Sequence, residues 1–192
     1  MGSVGRKNRH KEQIRKEILQ VARQLALEEG WANVSTRRIA EKIEYSTTKI
    51  YQEFGSKDEI LVELQKIGFR ELKQRFANAQ GKAQDPEKQL LHISLAQWQF
   101  AKENPELYQV MFGLGGVVCA ASPSVEMREA GKIVQETLAK ITPNYGWSHF
   151  VHWWALLHGF VSLDMLNQNN PELQISDFLE ESVQRFVAGL KT

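Results

Sequence analysis

Cys119 is the only thiol in this 192-residue chain, so no internal disulfide can form and no zinc cluster can be built on paired cysteines. On its own it reads as a small buried hydrophobe. Long apolar runs are missing as well. No stretch approaches the ~18 uninterrupted apolar residues of a membrane helix, and the opening MGSVGRKNRHKEQ has no apolar signal-peptide core. A cytoplasmic protein is expected. Nothing alternates in the manner of a set of strands, which makes the class all-α. Catalytic patterns are equally scarce: no Glu-x-x-His or His-Glu-x-x-His occurs, and GLGGVV follows no strand, so it is a loop and not a phosphate cradle. His149 and His152, three apart, come nearest to a metal pair, and His158 with Asp164 nearest to an acid–base pair, although Asp164 stands at an unfavourable helical spacing from His158. No cofactor and no metal are expected, and a helical enzyme is the weakest reading.

What is present is an ordinary globular composition, 42% apolar and 24% charged, with ample material for a core. The net charge of +1 conceals an uneven distribution. Residues 1–16 hold Arg6, Lys7, Arg9, Lys11, Arg15 and Lys16 against the single acid Glu12, while residues 61–192 are slightly acidic. A basic arm on a neutral chain suits phosphate; a solvated, frayed terminus is the plainer alternative.

Helical periodicity runs almost throughout. Ile14, Ile18, Val21, Ala22 and Leu25 form the apolar face of a first helix that Gly30 stops. Ser35 caps a short helix from Thr36 to about Ile43, and Ser46 caps another from Thr47 to about Glu53, closing on Phe54. Only Glu44 and Tyr45, with Ser46 as the cap, separate the two. A longer basic helix followed by two short helices across so tight a turn is the helix-turn-helix arrangement. Lys57 then opens a long helix that ends near Gly81, with GKAQDP as linker and Pro86 in the first turn of the next. A short apolar helix, Leu107 to Phe112, precedes GLGGVVCAAS, a loop or lid, and another spans about Pro123 to Ile141.

From Trp147 to Leu166 apolar residues circle the whole helix, which must therefore be covered on nearly every side. The last helix carries a one-sided stripe through Ile175, Phe178, Leu179, Val183, Phe186 and Val187. The pair reads as a dimer interface made with the same two helices of a second subunit, Phe160, Leu163, Phe178, Leu179, Ser182 and Phe186 being the contact residues. A central helix wholly inside one subunit is the alternative. About nine helices result, in an N-terminal helix-turn-helix domain over 1–55 and a larger ligand-binding and dimerisation domain over 56–192, with helix 56–80 connecting them.

The stretch VSTRRIAEKIEYSTTKIYQEFGSKDEIL resembles the DNA-binding domain of the TetR family of transcription regulators. The matching residues are Ser35, Arg37, Ile39-Ala40, Ser46, Ile50-Tyr51, Phe54, Lys57 and Asp58, at fixed spacing. Thr47, Thr48 and Lys49 stand at the exposed N-terminal end of the second short helix, where a major-groove reader places base-contacting side chains. Tyr51 and Lys57 are suited to phosphate. Ser35, Thr36, Arg37, Ser46 and Gln52 complete the expected DNA-binding set, Arg37 matching a family position that reaches either a base edge or a phosphate. The sequence departs from the family twice. Glu44 replaces the usual turn glycine and calls for a left-handed backbone. Gln52-Glu53 replaces a His or aromatic, and Glu53 is expected to face solvent.

Trp154, His158 and Gly159 look like the Trp-x-x-x-His-Gly signature of a subgroup of TetR-type C-terminal domains. His158 is either a packing histidine or an effector contact. Trp98, Met111, Phe112, Trp147, Phe150, Trp154 and His158 have the surface to line an apolar cavity, or simply to fill a core. The resemblance favours the cavity. It implies a repressor released from a palindromic operator when a small apolar or amphipathic molecule binds, its two reading helices ~34 Å apart on double-stranded DNA. A ligand-independent DNA-binding regulator is the alternative.

Overall fold

The computed structural model describes residues 3–114, 116–117, 124–166 and 174–191. Among them are nine α-helices, two short 3-10 segments and no strand, so the all-α class holds. Cys119 and most of GLGGVVCAAS lie outside the described residues.

Helix α1 (Ser3–Glu29) takes in the basic arm, so Arg6, Lys7, Arg9 and Lys11 are exposed on a helix and do not trail from a frayed end. It stops at Gly30, whose φ of 79° is open to glycine at little cost. One 3-10 turn, Trp31–Asn33, leads to α2 (Thr36–Lys42) and α3 (Thr47–Glu53). Both expected caps form. Ser35 accepts from the Arg38 N–H and Ser46 from the Lys49 N–H, each satisfying one of the free amides of a helix start. Between them Glu44 has φ 57°, the one positive value outside glycine among the described residues, a strain of about 1 kcal/mol. The left-handed turn expected there is present.

Helices α4 (Lys57–Gln80) and α5 (Pro86–Glu103) follow. The start of α4 is tied reciprocally: Ser56 Oγ accepts from the Glu59 N–H at 3.2 Å, and the Glu59 carboxylate reaches back to the Gly55 N–H at 3.1 Å. Helix α6 (Pro105–Phe112) begins two residues before the expected Leu107, because Pro105 fits a first turn. After α7 (Val125–Ile141) and α8 (Trp147–Leu166), the final stripe divides into a 3-10 segment, Ile175–Phe178, and α9 (Leu179–Gly189).

These elements form two compact units, one comprising Met1–Gly68 with Asn104–Ser122 and the other Phe69–Glu103 with Pro123–Thr192. The core of the first contains Ile14, Ile18, Ile39, Ile50, Phe54, Ile60 and Leu64, all essentially buried. Helix α6 belongs to it. Trp31 Nε1 donates to the Glu106 carbonyl at 2.9 Å, Arg23 Nε to Glu106 Oε1 at 2.7 Å, and Gly68 admits Met111, whose Cγ stands 2.8 Å from where a β-carbon would be. The second unit packs α5, α7, α8 and α9 around Ile93, Phe100, Leu138, Leu157 and Val183. At its centre Trp153 is 2% exposed, and its Nε1 donates to Ser94 Oγ at 2.9 Å, which satisfies both buried polar groups.

Candidate nucleic-acid interface

In the first unit α1, α2 and α3 bring most of the expected DNA-binding residues together around α3. Thr47 and Thr48 are exposed in its first turn. Tyr51, half exposed, meets Thr36 hydroxyl to hydroxyl at 3.2 Å, which joins α2 to α3 on the outer face. Gln52 is exposed, and Ser35 and Ser46 use their hydroxyls as caps. Arg37 is also exposed and donates to Glu41 at 2.9 Å, an open pair of little strength that a better anion can displace. Lys57, at the start of α4, is half buried. Its ammonium gives one of its three protons to the Trp31 carbonyl at 3.3 Å.

Lys49 and Glu53 differ from the rest. Glu53 does not face solvent: it is 8% exposed, and Oε1 accepts from Lys49 Nζ at 2.6 Å. A carboxylate is buried in this way only when paired, and one helical turn separates the partners. Arg15 donates to the Glu53 carbonyl, and its guanidinium lies over the Phe54 ring, 3.9 Å from the centroid. The arm therefore sends one of its cations to the C-terminal end of α3, where a positive charge is favoured.

The expected effector residues divide between the units. Met111 and Phe112 are on α6 in the first, whereas Trp98, Trp147, Phe150, Trp154 and His158 are in the second. Trp147, 62% exposed, stacks on Phe150 at 4.9 Å between centroids, and Trp154 lies 6.0 Å from His158. Burial lowers the His158 imidazole below its usual pKa of 6.5, because desolvation penalises the charged ring. A folded pKa below the unfolded one gives stability that is complete above the unfolded value and is lost as pH falls through both. Melting scans should show a small destabilisation below about pH 6.5 that His158→Gln reduces. His149 Nδ1 accepts from the Gly146 N–H at 2.9 Å, and His152 is exposed.

A cavity of about 490 Å³ lies in the first unit, lined by Lys16, Leu19, Arg23, Leu27 and neighbouring residues of α1, by Leu64 and Ile67 of α4, and by Glu106. None of the expected effector residues lines it. Of the expected dimer residues, Leu163 and Phe178 are 54% and 50% exposed, and Phe160, Ser182 and Phe186 are half buried. Leu179 is the exception, 1% exposed in the core of its own unit. Leu166, at 82%, adds to the apolar surface of α8, and a β-carbon on Gly159 would meet nothing within 4 Å.

The sequence model described as "Bacterial regulatory proteins, tetR family" matches residues 18–64, and that described as "Tetracyclin repressor-like, C-terminal domain" matches residues 90–188. No curated protein sequence matches. Similar solved structures include the TetR family transcriptional regulator PfmR from Thermus thermophilus, at TM-score 0.67 and 19% identity over 90% of this chain and 98% of that one. Another is the fatty acid degradation regulator FadR from Bacillus halodurans, at 0.68 and 14% over 92% and 95%. A third, a single-residue variant of TetR from Acinetobacter baumannii AYE in complex with minocycline, aligns at 0.69 and 13% over 91% and 94%.

Proposed function

Because the chain belongs to the tetR family of bacterial regulatory proteins, it is a DNA-binding transcriptional regulator and not an enzyme, and we propose that it works as a homodimeric repressor in the cytoplasm. Residues 1–55 grip a palindromic operator, helix 56–80 connects, and the remainder up to residue 192 dimerises and takes a small apolar or amphipathic effector. The observation that carries the reading is the exposed first turn of α3, where Thr47 and Thr48 stand clear of the core on a capped helix.

Thr47 and Thr48 read base edges, while Tyr51, Lys57, Arg37 and the exposed cations of α1 set the register on phosphates. Dimerisation draws support from the exposed apolar surface of Leu163, Leu166 and Phe178, with Phe160, Ser182 and Phe186 at its margin. An effector draws support from the aromatic residues Trp147, Phe150 and Trp154 with a half-buried His158 beside the last, and from the minocycline held by one structural neighbour. A ligand that favours a dimer with its heads at another spacing releases DNA.

Selection from random duplex fragments should return a palindrome with half-sites about one helical turn apart. On that site Thr48→Ala is expected to reduce discrimination against random DNA about 10-fold, in line with ~1–3 kcal/mol for a lost base contact. Lys57→Ala should weaken both DNAs alike. Equal losses for the two variants in titrations at fixed salt would remove the assignment of reader and anchor.

A further inference from the structure

We propose that Glu53 is a specificity-determining positioning residue: its buried carboxylate holds the Lys49 ammonium within α3, so that the helix meets DNA with the hydroxyls of Thr47 and Thr48 and without a free cation. The inference rests on the reading of α3 as the DNA-reading helix. Glu53 Oε1 takes Lys49 Nζ at 2.6 Å, while Oε2 is buried and has no partner. The carboxylate cannot readily swing out. Ile50 and Phe54 beside it are buried, and Arg15 holds the Glu53 carbonyl. Were Lys49 to leave for a phosphate, it would abandon a buried charge that has no second donor, and a phosphate contact made in open solvent does not compensate such desolvation.

The consequence concerns specificity. Cations on phosphates supply the sequence-independent part of DNA affinity, and each adds about 0.9 to the slope of log K against log salt. By withholding Lys49, Glu53 lowers affinity for random DNA and leaves discrimination to the threonine hydroxyls.

Titrations of the protein on the selected operator and on random duplex, over a range of salt, test this. Glu53→Gln should raise affinity for random DNA about 5-fold, lower the ratio of operator to random affinity, and steepen the salt slope by about 0.9. Lys49→Gln alone should leave the slope unchanged, and the double variant should restore the slope of the parent. An unchanged slope in a folded Glu53→Gln protein overturns the proposal, as does a slope flattened by Lys49→Gln alone, which would mean that Lys49 already sits on phosphate. Thr48→Ala separates the proposal from its premise. If Thr48→Ala cuts discrimination while Glu53→Gln is silent, only the restraint on Lys49 fails; if both are silent, the reading of α3 fails with it. Should Glu53→Gln not fold, nuclear magnetic resonance of the parent on its operator decides: slow exchange of the Lys49 ammonium protons with no coupling to phosphorus supports the restraint, and such coupling overturns it.

Discussion

Trp31→Ala is expected to destabilise the first unit by about 3–5 kcal/mol, the usual cost of truncating a buried aromatic to alanine. Trp31 is 3% exposed and sits in a single 3-10 turn with two long-range attachments. Its indole N–H donates to the Glu106 carbonyl of α6 at 2.9 Å, and its own carbonyl accepts the Lys57 ammonium at 3.3 Å. The truncation therefore opens a cavity and removes the hydrogen bond to α6, while the backbone carbonyl that accepts from Lys57 remains. For a chain of this size the melting temperature should fall by roughly 10 °C. Trp31→Phe separates the two contributions: it retains most of the volume, loses the hydrogen bond, and should cost only about 1–2 kcal/mol in urea denaturation followed by circular dichroism. Equal melting of the alanine variant and the parent would show that the turn is not what joins these helices.

Trp31 also marks where sequence reading stops. The bounds of α3 and the caps at Ser35 and Ser46 are legible because they depend on residues within four positions of one another. The left-handed Glu44 is legible through the family resemblance, which puts glycine at that place in the turn. Trp31 and Glu106 are 75 residues apart and Arg23 and Glu106 83 apart, and no local pattern joins either pair. Glu53 shows the difficulty at close range. Its partner is only four residues away, yet a carboxylate near DNA is repelled by phosphate, and on that ground Glu53 is expected in solvent. The signal that finds it is the i,i+4 spacing of the two charges. Composition groups Met111 with the tryptophans, whereas close packing at Gly68 places it in the first unit.

Leu163→Glu is expected to turn the proposed dimer into a monomer at micromolar concentration and to cost about 100-fold or more in operator affinity. Leu163 is 54% exposed in the single chain, so a charge there remains hydrated in the monomer and its fold should change by less than about 0.5 kcal/mol. In a dimer that packs α8 against its copy, two carboxylates enter an apolar contact, and neither has a partner to offset its lost hydration. The DNA effect follows from linkage. A dimer that has placed one reading helix in its half-site presents the second at a high effective concentration, and a monomer forfeits that advantage even though every residue that touches DNA is unchanged. Light scattering and anisotropy on full and half operators measure the two effects. Affinity for an isolated half-site should not change, while the preference for the full palindrome should vanish. A stable dimer of the Leu163→Glu protein would move the interface off this face of α8, and a monomer with undiminished operator affinity would show that one reading head suffices.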